Sequence, residues 1–198
     1  HFGLILPVTD KPKVVVGMSG GIDSTAVAYL LKQQNYEVIG ISMKLWQESG
    51  KDELSSHGGC CDLDALSDAR RACIQMGVPF YVMNFKRSFE QEVVDYFVRE
   101  YQAGRTPNPC IICNQKLKWE GLWQRSRMIG AQFIATGHYA RIKKLSNGRL
   151  TIQKSLYLDK DQSYVLYSLS QENLQHTFFP LGAKPAGTQR FLHPGGFF

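Results

Sequence analysis

A doubly wound α/β fold, a parallel sheet with helices on both faces and a β-hairpin added at its edge, is the class this sequence predicts. Three observations carry it. Short apolar runs alternate with helical stretches as far as about residue 139, the rhythm of stacked βαβ units. The first apolar run passes into a helix through two adjacent glycines, Gly20 and Gly21. Beyond residue 139 the rhythm changes, and Asn147-Gly148 separates two strand-like segments, a strong hairpin signal.

Taken in order, Lys13–Met18 is apolar and β-branched, so it reads as a buried parallel strand. Ser19–Ser24 is the turn, and a helix beginning near Asp23 or Ser24 and running to Gln34 sets Val27, Leu30 and Leu31 on one face. Glu37–Met43 is the second strand. Lys44–Gly59 is polar and glycine-containing and reads as a mobile loop. A helix from about Asp62 to Met76 stops at Gly77, with Pro79 following. Phe80–Phe85 is the third strand, and Ser88 is the expected N-cap of an amphipathic helix ending at Tyr101. The turn-rich Gly104–Pro109 leads to Cys110 and a helix from about Asn114 to Ile129. Gln132–Ala135 is the fourth strand. The hairpin pairs Ala140–Leu145 with Leu150–Leu156.

The 198 residues suit one such domain, and 43% hydrophobic content is ample for its core. No apolar run reaches the roughly 18 to 20 residues of a membrane span. The apolar start, His1–Pro7, lacks a basic n-region and a cleavage site. No membrane association and a cytoplasmic location are therefore expected. Net charge is +6, unevenly spread: Arg99–Lys160 holds twelve Lys or Arg against three acids, an excess of nine that leaves −3 for the remainder. Such a basic half suits a docked polyanion, and nucleic acid is one; a solvated basic surface is the other reading.

The glycine turn carries chemistry. Without Cβ atoms, Gly20 and Gly21 let backbone N–H groups approach phosphate oxygens, and the following helix aims its positive end at the same anion. Ser19 and Ser24 add hydroxyls, while Asp23 fits beside phosphate through an intervening Mg²⁺. The turn matches neither the Gly-Lys-Ser/Thr ending of a P-loop nor G-x-G-x-x-G.

The five cysteines divide by position. Cys113, placed close to a helix start by the stiff Pro107-Asn108-Pro109, can be a nucleophilic thiolate. Cys110 stands at C-x-x-C spacing from it, compatible with a disulfide, a shared metal or iron–sulfur ligation. Cys73 shares a helical face with Leu66, Ala69 and Met76 and reads as core. Cys60 and Cys61 follow a Gly-Gly pair; reactivity, metal binding and a tight loop all remain open.

Ser19-Gly-Gly-Ile-Asp-Ser24 resembles the PP-loop of the N-type ATP pyrophosphatases, in the adenine-nucleotide α-hydrolase-like fold. With Gly104-Arg-Thr-Pro-Asn-Pro-Cys-Ile-Ile-Cys-Asn114, Ala135-Thr-Gly-His-Tyr-Ala-Arg141 and Lys160-Asp-Gln-Ser-Tyr164, the chain is similar to the tRNA-specific 2-thiouridylases from about Lys13 to Gly182. The resemblance implies ATP-dependent 2-thiolation of a tRNA wobble uridine, by adenylylation of its C2 oxygen and then sulfur transfer. It implies ATP contacts at Gly17, Met18, Ser19, Gly20, Gly21, Ile22, Asp23, Ser24, Met43 and Gly137, and a catalytic nucleophile at Cys113. Asn108, Pro109 and Cys110 match the segment that meets the target base; His138, Lys160, Asp161 and Gln162 match tRNA contacts. Mg²⁺ on Asp23, an iron–sulfur cluster on Cys110 and Cys113, and a sulfur-carrier protein or cysteine desulfurase relay complete the expectation.

Many family members carry Asp where Cys110 stands. The family's second catalytic cysteine lies beyond the point where the likeness ends, and Ala183–Phe198 contains no cysteine and does not resemble the family. A catalytic domain over 1–182, an unrelated or frame-shifted tail over 183–198, and absent central and β-barrel domains are expected. Two other functions fit the turn: a PP-loop ligase with a small carboxylate or amide substrate, and a truncated ATP- and tRNA-binding form that adenylylates without completing thiolation.

Overall fold

Three consecutive valines, Val14, Val15 and Val16, are fully buried in a strand. Successive side chains on a strand point to opposite faces, so both faces of this one must be covered. A computed structural model, described over residues 11–45 and 63–183, shows how. β1 (Lys13–Gly17) lies in a five-stranded sheet with β2 (Glu37–Lys44), β3 (Phe80–Asn84), β4 (Phe133–Ala135) and β7 (Thr177–Phe178). The order is β3-β2-β1-β4-β7, and every pairing is parallel. Val14 and Val16 pack with Val27 and Leu31 of α1 (Ile22–Gln33) and with Ala69 and Cys73 of α2 (Leu63–Met76). Val15 faces the other core, with Leu117, Trp119, Leu122 and Trp123. This is the doubly wound sheet expected from the alternation.

Two long helices cover that second face, and each begins earlier than the sequence suggested. The first is an unbroken run of α3 (Lys86–Phe89), π-helical turns over Glu90–Val94, and α4 (Asp95–Gln102). Ser88 lies inside it rather than capping it; the side chain of Asn84 accepts the Lys86 N–H instead, at 3.0 Å. The second is α5 (Pro109–Ile112), π-helical turns over Cys113–Leu122, and α6 (Trp123–Met128). It starts five residues before Asn114, because Asn108 caps it and Pro109 occupies the first turn, where a missing N–H costs nothing.

The hairpin of β5 (Ala140–Lys144) and β6 (Leu150–Lys154) pairs antiparallel as a two-stranded sheet of its own. Gly148 turns it at φ +81°. The parallel sheet's border on the β4 side is β7, preceded by α7 (Gln171–Gln175). After β7 the chain returns beneath the hairpin, where Gly182 O accepts from Leu156 N at 2.9 Å. A Cβ at Gly182 would overlap the Ala140 carbonyl, so only glycine closes this junction.

Residues 46–62, which hold most of the expected loop with Cys60 and Cys61, lie outside the described residues, as does 184–198. Among the described residues no helix is long and apolar enough to cross a membrane.

Candidate functional site

β1 has β2 on one side and β4 on the other, so the connections diverge at the carboxyl ends of β1 and β4. Open parallel sheets bind ligands at such a switch point. The loop Ser19–Ser24 leaves β1 there, and Thr136-Gly137-His138 leaves β4. Met18 continues the pairing with β2, its N–H reaching Ile41 O at 2.8 Å and its carbonyl accepting from Ser42 Oγ at 2.6 Å. Gly17 ends β1, and Met43, near the end of β2, is half-buried at the same edge.

The loop is closed by hydroxyls. Ser24 Oγ accepts from Ser19 N at 3.2 Å and donates to Gly21 O at 2.9 Å; Thr25 Oγ1 donates to the same carbonyl at 3.2 Å. Gly20 sits at φ +83°, and a Cβ there would meet Ala65 O of α2 at 2.3 Å. Gly21 precedes α1, which begins at Ile22, so the first N–H groups of that helix have no partner within it and face outward. Gly137 presses on the same turn: a Cβ would lie 3.2 Å from Ser24 N and 3.3 Å from Asp23 Cβ.

Asp23 is held by a residue of the Ala135–Arg141 motif to which the sequence pattern assigns no role. Tyr139, nearly buried, donates its hydroxyl to Asp23 Oδ1 at 2.8 Å across 116 residues. Tyr139 is itself gripped by Gln162, whose Oε1 accepts Tyr139 N at 3.1 Å and whose N–H reaches Tyr139 O at 2.9 Å. Lys160 Nζ stands over the Tyr139 ring at 5.1 Å. Asp161 spends its carboxylate locally, on Ser155 N and Ser163 Oγ, each at 2.7 Å. Asp161 and Gln162 thus shape the segment beside the loop, and exposed Lys160 is the charge it presents.

The same segment reaches the cysteine helix. Val165 N bonds Gln162 O at 3.3 Å, and Val165 O accepts Asn114 Nδ2 at 3.2 Å. Asn114 is buried and follows Cys113 directly. An unbroken set of contacts therefore runs Asp23–Tyr139–Gln162–Val165–Asn114, joining the glycine loop to Cys113. Cys113 is half-buried against the core, Cys110 is exposed, and Asn108 Oδ1 accepts Cys110 N at 3.0 Å.

His138 lies between Trp119 and Phe179, with ring centroids 5.9 and 6.1 Å away, and Thr136 Oγ1 is 2.7 Å from its Nδ1. Burial, and secondarily the nearby Lys118, push its pKa well below the ordinary value. It is a neutral imidazole at pH 7 and so a hydrogen-bonding group, not a cation for phosphate.

Several cations of the basic half are held by local partners. Arg105 is spent on Glu100 through two bonds of 2.6 and 2.7 Å, which hold the Glu100 carboxyl below its usual range. Lys116 pairs with Glu120 and Arg127 with Glu172, and Arg125 lies over the Phe85 ring at 3.9 Å. Lys143, Lys144, Arg149 and Lys154 are exposed on the hairpin. The hairpin and Lys160 thus carry exposed positive charge beside the site.

For Mg²⁺, one carboxylate beside a phosphate loop is a sufficient protein share, since that ion is commonly held by one or two carboxylates plus substrate phosphates. For a cluster, Cys110 and Cys113 bring two thiols. The described residues contain no group of three or more His, Cys, Asp or Glu, short of the four ligands a cubane takes.

Residues 12–190 match the family model described as the tRNA methyl transferase HUP domain. The chain is 56% identical over 170 residues to the tRNA-specific 2-thiouridylase MnmA of Lachnoclostridium phytofermentans, covering 86% of this chain and 48% of that protein. It is 53% identical over 171 residues to the protein of the same name from Clostridioides difficile, covering 86% and 47%. The chain thus spans about half the length of the curated relatives it matches. Among solved structures, the U34-tRNA thiolase NcsA from Methanococcus maripaludis, with its [4Fe-4S] cluster, is 26% identical. That match covers 66% of this chain and 40% of the other, with a TM-score of 0.45.

Proposed function

The chain belongs to the family of the tRNA methyl transferase HUP domain, and on that footing we propose that it activates and thiolates a tRNA wobble uridine at C2, using ATP. The observation that carries the reading is the contact path from Asp23 through Tyr139, Gln162 and Val165 to Asn114. It ties an anion-binding loop to a cysteine helix at one end of the sheet, as a two-step reaction needs. The family description speaks of methyl transfer and the relatives' names of thiolation; the Cys110-x-x-Cys113 pair favours sulfur.

ATP would bind with its phosphates on the N–H groups of 20–24 at the start of α1, where helix dipole and hydroxyls favour anions. Gly17, Met18, Met43 and Gly137 would line the nucleotide. Mg²⁺, held by Asp23 and the phosphates, would supply charge neutralisation when bound. The uridine C2 oxygen attacks the α-phosphorus, and pyrophosphate leaves. A sulfur nucleophile then adds to C2, and AMP departs with the former carbonyl oxygen.

Cys113 handles the sulfur, with Asn108, Pro109 and Cys110 beside the target base. Neutral His138 donates or accepts one hydrogen bond, and Lys160 with the hairpin cations meets the RNA backbone. Residues 1–182 would form the catalytic unit, and sulfur would arrive from a carrier protein or a cysteine desulfurase relay.

Incubating the chain with ATP, Mg²⁺, unmodified tRNA and sulfide tests the proposal. AMP and pyrophosphate should form only with tRNA, one AMP per 2-thiouridine in the nucleoside digest. ADP as product contradicts the reading, as does turnover driven by a small carboxylate or amide without RNA. AMP formation without 2-thiouridine restricts the chain to the activation half of the reaction.

A further inference from the structure

Tyr139 touches both halves of the site at once. Its hydroxyl donates to Asp23 Oδ1, in the first turn of α1, and so restricts how that carboxylate turns. Its backbone N–H and carbonyl are both taken by Gln162, at 3.1 and 2.9 Å. His138 precedes it directly, and Lys160 Nζ lies 5.1 Å from the centre of its ring. The two ends of this arrangement differ in exposure. Tyr139 is nearly buried, its ring edge-on to Tyr157. Leu158, Asp159, Lys160 and Gln162 are exposed, so the bond from Tyr139 N to the Gln162 side chain competes with water and opens readily. Asp161 ties the turn to Ser155 and Ser163, so the turn keeps its shape when that bond opens.

We infer that Tyr139 is a positioning residue through which bound RNA tightens the binding of ATP. RNA seated on His138 and the 160–162 turn excludes water from the Gln162 grip and holds Tyr139 from both sides. Asp23 is then preset for Mg²⁺ and the phosphates. For where RNA and nucleotide sit, this rests on the thiolation reading above. The two states are the grip closed and the grip open, and RNA shifts them by its higher affinity for the closed one. Coupling of this kind is reciprocal: the factor that RNA adds to ATP affinity is the factor that ATP adds to RNA affinity. Its consequence is that the nucleotide is held firmly only when an acceptor for AMP is in place.

α,β-Methylene ATP, which cannot be cleaved at the bond this chemistry breaks, lets binding be measured without turnover. Its affinity for the full chain is titrated calorimetrically in Mg²⁺, with and without saturating unmodified tRNA. Wild type should bind the analogue about tenfold more tightly with tRNA, and tRNA about tenfold more tightly with the analogue. Tyr139→Phe and Gln162→Ala should each bring that ratio to about one, whereas Tyr157→Phe should keep the wild-type ratio. A merely structural Tyr139 would weaken binding equally with and without tRNA. Variants that leave the ratio intact in this way overturn the inference. A wild type that binds both ligands independently overturns the coupling alone, and one that binds no tRNA or no analogue overturns the thiolation reading with it.

Discussion

Gly20→Ala is the substitution whose effect the geometry defines best. Gly20 has φ +83°, and an added Cβ would stand 2.3 Å from Ala65 O, 2.7 Å from Ala65 Cα and 2.8 Å from Ala65 C. All three are backbone atoms of α2, so no side chain can swing away, and loop and helix must separate by about 1 Å to reach ordinary contact. The left-handed conformation costs about 1–2 kcal/mol for a residue with a Cβ, and overpacking a tight site costs a further 1–3 kcal/mol or so. Together they predict a loss of about 2–5 kcal/mol.

Gly148→Ala is the matched control, because it shares a positive φ, +81°, with nothing within 4 Å of the added atom. It should lose only the conformational part, about 1–2 kcal/mol. Urea titrations of both variants read the difference. A 1 Å displacement of the phosphate loop should also lower the rate of tRNA-dependent ATP cleavage about a hundredfold in Gly20→Ala, with ATP affinity unchanged in Gly148→Ala. Equal stability losses in the two variants, or unaltered ATP cleavage in Gly20→Ala, would refute the assignment of this turn as a loop braced by α2.

Tyr139→Phe deletes the 2.8 Å bond to Asp23; hydrogen bonds to charged groups are worth about 1.5–3 kcal/mol. Calorimetric titration should show ATP affinity reduced roughly tenfold or more, while Tyr157→Phe at the neighbouring ring should leave it unchanged. His138 gives a pH signature. Its folded pKa lies below the unfolded value of about 6.5, so between the two only the unfolded chain binds the proton, and stability falls as pH drops through that window. Urea midpoints at pH 7.5 and 5.5 should show a decline that His138→Gln removes, with a slope of at most about 1.4 kcal/mol per pH unit. For the thiols, brief alkylation of the native chain at pH 7.5 should label Cys110 and spare Cys73, whose burial raises its pKa to about 11; denaturant should expose Cys73 to label.

The features of the fold that are legible in the sequence are those set by local pattern. Three valines before a double glycine specify a buried strand entering an anion turn, and β1, α1 and β2 follow within a few residues of expectation. Helix starts were harder. Pro107 and Pro109 read as turn formers, yet Pro109 at the first helical position with Asn108 as cap is a start signal. The Ser88 cap failed because Asn84, four residues upstream, already supplied the oxygen.

β7 is two residues long, too short for any periodicity, and is a strand only because β4 lies beside it. At the site, the clustering of the glycine loop and the carboxyl ends of β1, β2 and β4 follows from fold class alone. The Tyr139–Asp23 bond and the Gln162 grip on Tyr139 do not, since they join residues 116 and 23 positions apart. Charge counting over Arg99–Lys160 already subtracts Glu100 and Glu120, the local partners of Arg105 and Lys116, but it misses the pairing of Arg127 with Glu172, which lies outside the stretch and meets Arg127 only in space.

The central claim is that this loop directs ATP to adenylylate RNA. ATP labelled at the α-phosphate, incubated with the chain, Mg²⁺ and unmodified tRNA but no sulfur source, tests it most directly. Label should appear on the tRNA, in step with pyrophosphate release, and sulfide should discharge it as AMP. Label that never joins the RNA, with cleavage falling instead between the β and γ phosphates, would contradict the account.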